Sequence, residues 1–145
     1  MDVFGLNLPN KVLTNFDLLD YAKQLNIPYF KGVFMRDTLP RKPNKIECAI
    51  VNLNTSVQKG SHWTCYFKKG QLLIYFDSFG QVTPTEIQDY LKSKNEKGLP
   101  LIQRNTDIVQ AVNSVLCGHL CLFVLKALSN GWSFQQVLNY LNGHS

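Results

Sequence analysis

One cysteine stands where a thiol could act as a nucleophile. Cys117 begins a run, residues 117–128, that is apolar at almost every position and long enough for three turns of a buried helix. The N-terminus of a helix carries a partial positive charge and unpaired N–H groups, which lower the pKa of a thiol. Gly118 leaves room for a substrate backbone to approach. The alternative is that Cys117 is a small apolar core residue, as we expect for Cys121.

A thiol nucleophile needs a base, and His62 is the best placed of the three histidines. It begins a strand-like segment, whereas we expect His119 to face solvent or pack locally and His144 to lie in a frayed terminus. Asp77 ends the strand-like segment that follows, and a single turn near residues 68–70 joins the two segments. His62 and Asp77 are therefore predicted to be near cross-strand neighbours. Taken singly, His62 could be a surface histidine and Asp77 a turn residue.

An amide could complete such a site by stabilising an oxyanion. Gln110 lies seven residues before Cys117, and its side chain could donate a hydrogen bond to a carbonyl oxygen under attack, together with the backbone N–H of Cys117. A solvated loop glutamine is the alternative. A cysteine, a histidine and an aspartate in one site would perform nucleophilic acyl transfer.

The elements that must position these residues follow from hydrophobic periodicity and turn signals. Helices are predicted over residues 13–26, 84–93, 117–128 and 134–141, with Thr14 or Asn15 as the cap of the first. Strands are predicted over residues 47–53, 62–67 and 71–77, and a short one near 102–105. Residues 29–46, with two prolines and five basic residues, are expected to be irregular. This order predicts an α+β domain.

The composition describes one folded domain and limits its partners. The 145 residues are 45% hydrophobic and 17% charged, which excludes a disordered polyelectrolyte and predicts a single domain over residues 1–145. The net charge of +5 permits a nucleic-acid partner but does not require one. No apolar run reaches the roughly 18 residues of a membrane span, and no secretory signal is visible. We therefore expect neither membrane association nor secretion.

The cysteines favour free thiols. Cys48, Cys65, Cys117 and Cys121 are too few for a disulfide scaffold, and without a secretory signal we expect a reducing compartment. Cys117 and Cys121 form a C-x3-C pair around His119, but no second pair of suitable spacing accompanies them. We therefore predict no metal site.

Three motifs make the sequence resemble the adenovirus-type maturation proteases, the adenain-like cysteine proteases. They are Gly60-Ser61-His62-Trp63, Tyr75-Phe76-Asp77-Ser78-Phe79-Gly80 and Gln110-x-x-Asn113-Ser114-x-x-Cys117-Gly118. With weaker matches at residues 28–32 and 48–52, the resemblance covers about residues 28–125. It implies a papain-related cysteine protease fold with the permuted order His, Asp, Cys. In that fold a central mixed or antiparallel sheet packs against a buried helix that begins at the nucleophile.

The resemblance also implies a role for each residue. Cys117 is the nucleophile, His62 the general base and acid, Asp77 the residue that orients His62, and Gln110 part of the oxyanion hole. The adenoviral enzyme has a glutamate where this chain has Asp77. Trp63 lines a narrow channel that favours glycine-containing cleavage sites. The residues implied in substrate binding are Trp63, Gly60, Asn113, Ser114 and Gly118.

The function that the resemblance implies is a cysteine endopeptidase that cleaves viral structural (capsid) precursors during particle maturation. We expect a monomer in the virion and the infected host cell, with no required cofactor. DNA or a peptide could activate it, but a disulfide-tethered peptide is not expected, because no cysteine lies between Cys65 and Cys117. Basic residues could bind DNA non-specifically, although we favour ordinary solvated basic faces as the account of them.

Two alternatives stay open. The first is a protease or isopeptidase that acts on ubiquitin-like proteins with the same catalytic residues. The second is a non-catalytic DNA- or capsid-binding domain that keeps the fold.

Overall fold

The functional residues are arranged around a five-stranded mixed sheet. The computed structural model describes residues 1–55, 62–92, 101–109 and 114–143. The strands are β1 (Asp2–Val3), β2 (Leu6–Asn7), β3 (Phe30–Met35), β4 (Ile46–Asn52), β5 (Trp63–Lys69), β6 (Leu72–Phe76) and β7 (Ile102–Arg104). The helices are α1 (Asn15–Gln24), α2 (Thr85–Leu91), α3 (Cys117–Ser129) and α4 (Phe134–Gly143).

The large sheet has the order β3-β4-β5-β6-β7. Its three central strands are antiparallel neighbours, whereas β3 pairs with β4 and β7 pairs with β6 in parallel. The predicted α+β class and mixed sheet are confirmed. A separate two-stranded hairpin, β1–β2, precedes α1.

Each face of the sheet carries its own apolar cluster, because side chains alternate along a strand. Ile50, Cys65 and Phe76 point to the face covered by α1, α3 and α4. Ala49 and Tyr66 point to the opposite face, which α2 covers. The buried position of α3 explains why it is apolar almost all round, since it contacts the sheet as well as α1, α4 and the β1–β2 hairpin.

The helix boundaries follow local capping chemistry. Thr14 caps α1, as predicted: its hydroxyl accepts from the Asp17 N–H at 3.1 Å, and the Asp17 carboxylate accepts from the Thr14 N–H at 2.9 Å. The helix therefore begins two residues later than the hydrophobic pattern indicates. None of the helices in the described ranges is both long and apolar enough to span a membrane.

One expected irregular segment is a strand. Residues 29–46 contain β3, whose six residues are all half-buried and pair with β4 around a register irregularity between Phe30 and Gly32. Half-burial on both faces removes the period-2 alternation by which a strand is recognised. The prediction of an irregular 29–46 was wrong for this part, because the strand depends on pairing with β4 and not on its own pattern.

Candidate active site

The candidate nucleophile begins the buried helix. Cys117 is the first residue of α3 and is 7% exposed, more than the other three cysteines. The sulfur lies beside the unpaired N–H groups of the first helical turn, where a negative charge is stabilised. This is the environment that the sequence predicts for Cys117, and it favours the thiolate.

His62 and Asp77 lie together, as the sequence predicts. His62 Nε2 lies 2.6 Å from Asp77 Oδ1, and the Asp77 side chain is fully buried. The register of the hairpin differs from the expected one by two residues: Cys65 faces Phe76, and the ladder ends at this pair, so His62 and Asp77 lie just beyond its end. Asp77 is therefore a diagonal neighbour of His62, still within side-chain reach.

Phe79 lies in the turn that follows β6 and covers the imidazole of His62. Its ring stacks on the imidazole at a centroid distance of 4.7 Å and an interplanar angle of 27°. Its backbone N–H donates to Asp77 Oδ1 at 2.9 Å, the same oxygen that contacts His62. Phe79 thus shields the pair from water and helps to orient the carboxylate. The motif alone does not indicate this role, because it depends on the conformation of the turn that follows β6.

The electrostatics of the site support a charged histidine and a thiolate. Burial lowers the pKa of His62, but hydrogen bonds with Asp77 and Cys117, followed by the charges of both groups, outweigh it and raise the pKa to about 9. Burial raises the pKa of the Cys117 thiol, but the hydrogen bond with His62 and those from the backbone N–H groups of Trp63 and Gly118 bring it below its ordinary value. Both shifts favour the thiolate–imidazolium form of the pair.

Trp63 is held next to this pair. Its indole Nε1–H donates to the carbonyl oxygen of Leu13 at 2.9 Å, and the residue is 8% exposed. A Cβ added at Gly118 would lie 3.2 Å from Leu18 and 3.4 Å from Trp63. The glycine therefore permits close packing between α1, α3 and Trp63 inside the protein. Its predicted contact with substrate stays a prediction.

Of the four remaining predicted site residues, the structure describes one. Ser114 lies just before α3, where its hydroxyl accepts from the Leu116 N–H at 3.1 Å. Gln110, Gly60 and Asn113 lie outside the described residues, so the oxyanion role of Gln110 stays a prediction.

His119 does not lie where the sequence predicts. It is fully buried, and its Nε2 lies 2.7 Å from the carbonyl oxygen of Pro9, so it neither faces solvent nor reaches the catalytic pair. The residue is enclosed because the segment before α1 crosses over α3, which no local pattern indicates. Within the described part of the chain, no three His, Cys, Asp or Glu side chains cluster as metal ligands would.

This arrangement has the parts needed to attack a carbonyl carbon. A thiol at a helix N-terminus can act as a nucleophile after it loses its proton, an imidazolium next to it can supply a proton, and a buried carboxylate can orient the ring and stabilise its charge. The Nε2 of His62 is engaged by Asp77, which leaves Nδ1 for the sulfur.

Comparison with known proteins identifies the family of the chain. The sequence model described as adenovirus endoprotease matches residues 30–143. A relative named Protease from Bovine adenovirus 2 is 30% identical over 119 residues, which cover 71% of this chain and 56% of the relative. A second, from Bovine adenovirus B serotype 3, is 34% identical over 116 residues, covering 69% and 56%. The chain thus spans a little over half the length of these relatives.

Solved structures show the same fold. The ASFV pS273R protease has a TM-score of 0.60 at 17% identity, with 90% of this chain and 62% of that chain covered. The SUMO protease Ulp1 has a TM-score of 0.54 at 16% identity, with 92% and 75% covered. The predicted cysteine protease fold is confirmed.

Proposed function

The chain belongs to the adenovirus endoprotease family, and from this premise we propose that it is a cysteine endopeptidase with Cys117 as nucleophile. The observation that carries the proposal is the alignment of Cys117, His62 and Asp77. The first residue of a buried helix shares a hydrogen bond with a histidine that lies 2.6 Å from a buried aspartate.

The proposed reaction has two halves. The Cys117 thiolate attacks the carbonyl carbon of the scissile bond, and the oxyanion accepts hydrogen bonds from the Cys117 N–H and the Gln110 amide. The imidazolium of His62 gives its proton to the departing amine, leaving a thioester and a neutral ring. Water then attacks the thioester, His62 takes the proton of the water, and the thiolate returns as the leaving group.

We propose viral structural precursors, capsid proteins in particular, as substrates during particle maturation. Support comes from the adenoviral origin of the relatives named Protease. Mass spectrometry of co-expressed capsid precursors tests this directly and reports the cleavage site. Cleavage should occur with the native chain and be lost with Cys117→Ala. It should persist with Cys121→Ala, a matched loss of a buried thiol one turn along α3.

A second candidate is a protease that acts on ubiquitin-like proteins. The likeness in fold to the SUMO protease Ulp1 over 92% of the chain favours it. Probes built on the C-termini of ubiquitin-like proteins, with a thiol-reactive end, distinguish the two. Efficient labelling of Cys117 by these probes without cleavage of capsid precursors would replace the first proposal. Processing that survives Cys117→Ala would instead favour a non-catalytic DNA- or capsid-binding domain.

We propose non-specific DNA as a partner and a monomer acting in the virion and the infected cell. Basic residues gather where β4 and β5 meet the segment before β4: Lys68 Nζ donates to the Lys45 carbonyl at 3.2 Å, and Lys69 pairs with Ile46. Binding to a 20-base-pair duplex should weaken steeply as salt rises, because counterions are released on binding. Replacing Lys45, Lys68 and Lys69 with glutamine should weaken binding more than the same change at Lys23.

We propose that a peptide acts as an untethered activator. Support comes from a groove of about 610 Å³ at the end of α3 opposite Cys117, which aromatic side chains line. They are Tyr29, Phe67, Trp132 and Phe134. Synthetic peptides that tile the structural precursors would be added to the peptidase assay. A peptide that activates the native chain but not Trp132→Ala supports this part of the proposal, and no activation by any peptide would contradict it.

A further inference from the structure

The turn that carries Asp77 is held by the segment that leads to the nucleophile. Residues 77–80 follow β6, and residues 105–109 follow β7, its parallel neighbour. The Val109 N–H donates to the Ser78 carbonyl at 2.8 Å. A Cβ at Gly80, where φ is +67°, would lie only 2.5 Å from the Thr106 carbonyl oxygen. The two segments therefore pack in direct backbone contact.

Asn105 makes the closest polar connection between them. Its Nδ2 donates to the Asp77 carbonyl at 2.6 Å, and its Oδ1 accepts from the Asp77 N–H at 3.2 Å. The same Nδ2 also donates to the Asp107 carbonyl at 3.2 Å. Asn105 is 2% exposed, so these bonds form away from water, where an unmet donor or acceptor is costly.

The side chain of Asn105 supplies hydrogen bonds that a paired strand would otherwise supply, because the pairing of β6 with β7 ends before Asp77. The last paired residues of β6 and β7 are Tyr75 and Arg104. Beyond them the backbone of Asp77 has left the sheet, and the amide of Asn105 presents a donor and an acceptor to it as a neighbouring strand would. The N–H and the carbonyl of Asp77 are thereby both hydrogen-bonded, which fixes the direction in which its side chain points.

We propose that Asn105 is a positioning residue of the active site: it holds the backbone of Asp77 so that the carboxylate meets His62 at hydrogen-bond distance. The inference rests on the proposed function for its kinetic consequence, although its structural part concerns His62 alone. Asn105 touches neither the thiol nor the imidazole in the structure and acts only through Asp77.

The effect should be readable in the titration of His62. The titratable groups that face His62 are Asp77 at the end of β6 and Cys117 at the start of α3. Loosening Asp77 weakens the bond that keeps the imidazole protonated, so the pKa of His62 falls towards its ordinary value. The alkaline limb of kcat/KM, where the imidazolium loses its proton, then moves to lower pH.

The test compares Asn105→Ala with the native chain in three measurements. We expect kcat to fall by about 10- to 100-fold with little change in KM, because the reacting groups are misplaced while the substrate-binding surface is intact. The pKa of His62, followed by NMR of the imidazole and assigned with His62→Gln, should fall by at least about one pH unit. In an Asp77→Asn background, Asn105→Ala should have less than about a twofold further effect.

A control of similar structural cost separates positioning from general destabilisation. Tyr90→Phe removes a hydroxyl on the other face of the sheet that donates to the buried Glu47 at 2.7 Å and accepts from Lys31 Nζ at 3.5 Å. It should leave kcat and the pKa of His62 unchanged. If Asn105→Ala does not fold, Asn105→Ser, which can replace one of the two bonds to Asp77, takes its place with a smaller expected shift.

The outcomes separate this inference from the proposed function. An unchanged pKa of His62 in the Asn105 variants, or an undiminished effect in the Asp77→Asn background, overturns the positioning role even if the native chain is an active protease. A native chain without Cys117-dependent activity overturns the proposed function. In that case the NMR titration alone decides whether Asn105 positions Asp77.

Discussion

Replacing Asp77 with asparagine removes one charge from the candidate active site while keeping the shape of the side chain. The amide oxygen can still accept from the Phe79 N–H and from His62 at the positions that Oδ1 now occupies. The pKa of His62 is raised to about 9, against an ordinary value near 6.5, and the difference corresponds to about 3 kcal/mol at 1.36 kcal/mol per pH unit. The bond with Asp77 is the largest contribution that raises it.

Asp77→Asn should therefore lower the pKa of His62 by at least about one pH unit, or about 1.4 kcal/mol. The thiolate loses part of its stabilisation in the same step, because the imidazolium next to it is less populated. We expect the apparent pKa of the Cys117 thiol to rise and the alkylation rate at pH 7 to fall by about tenfold. The two pKa values move towards each other, as coupled sites do when their attraction weakens.

Alkylation by iodoacetamide across pH 5–10 measures this without any substrate. Among the four cysteines, Cys48, Cys65 and Cys121 are at most 1% exposed, and burial raises the pKa of Cys48 and Cys121. Cys117 should be the residue modified at neutral pH, which peptide mapping verifies. Imidazole NMR on the same samples reports His62 independently.

A surface carboxylate provides the control. Asp20→Asn removes an exposed charge on α1 that is bonded to Gln24, and its alkylation profile should match that of the native chain. If Asp77→Asn leaves both the alkylation midpoint and the pKa of His62 within about 0.3 pH units of native, Asp77 does not stabilise the ion pair, and the electrostatic account of the site is refuted.

Three further predictions concern the framework around the site. Glu47→Gln should lower the free energy of unfolding by about 1–3 kcal/mol at pH 7. Burial raises the pKa of this carboxyl but its hydrogen bonds lower it further, so the stabilisation is present above the unfolded-state pKa and is lost as pH falls. Equal urea midpoints of the variant and the native chain at pH 7 would contradict this. Gly80→Ala should cost at least about 2 kcal/mol more than Gly131→Ala, since both have positive φ but only the former meets a backbone atom, at Thr106; equal losses in urea unfolding would count against the clash. Trp63→Phe should lower the free energy of unfolding by about 1–3 kcal/mol, because the Leu13 carbonyl loses the hydrogen bond that the indole N–H donates at 2.9 Å. A variant with native thermal stability would show that this bond contributes little.

The candidate site was predictable where its chemistry depends on local sequence. Cys117 could be chosen because the apolar run that follows it describes a buried helix, and the environment of a helix N-terminus comes with that helix. His62 and Asp77 could be paired because a hairpin brings residues at equal distances from its turn together. The predicted register is wrong by two residues, but the predicted contact between His62 and Asp77 is still present, because side chains at diagonal positions of a hairpin are also within reach.

Other parts of the site depend on contacts between distant segments. Phe79 and Asn105 carried no signal of their own, since a phenylalanine after a serine or an asparagine in a short polar stretch is ordinary in a loop. His119 is buried only because the segment before α1 passes over α3. The strand β3 is half-buried throughout and exists because β4 pairs with it, and parallel pairing of this kind leaves no alternation in the sequence.

The sequence by itself therefore determined the class of fold, the order of its main elements and the three residues of the proposed reaction, because hydrophobic period, capping and hairpin symmetry act over a few residues. Only the tertiary structure decided how those residues are held. The stacking of Phe79 on His62, the pairing of the parallel edge strands and the hydrogen bonds between Asn105 and Asp77 all join segments that are not neighbours in the sequence. Such contacts are selected by the packing energy of the whole domain, which no short stretch of sequence records.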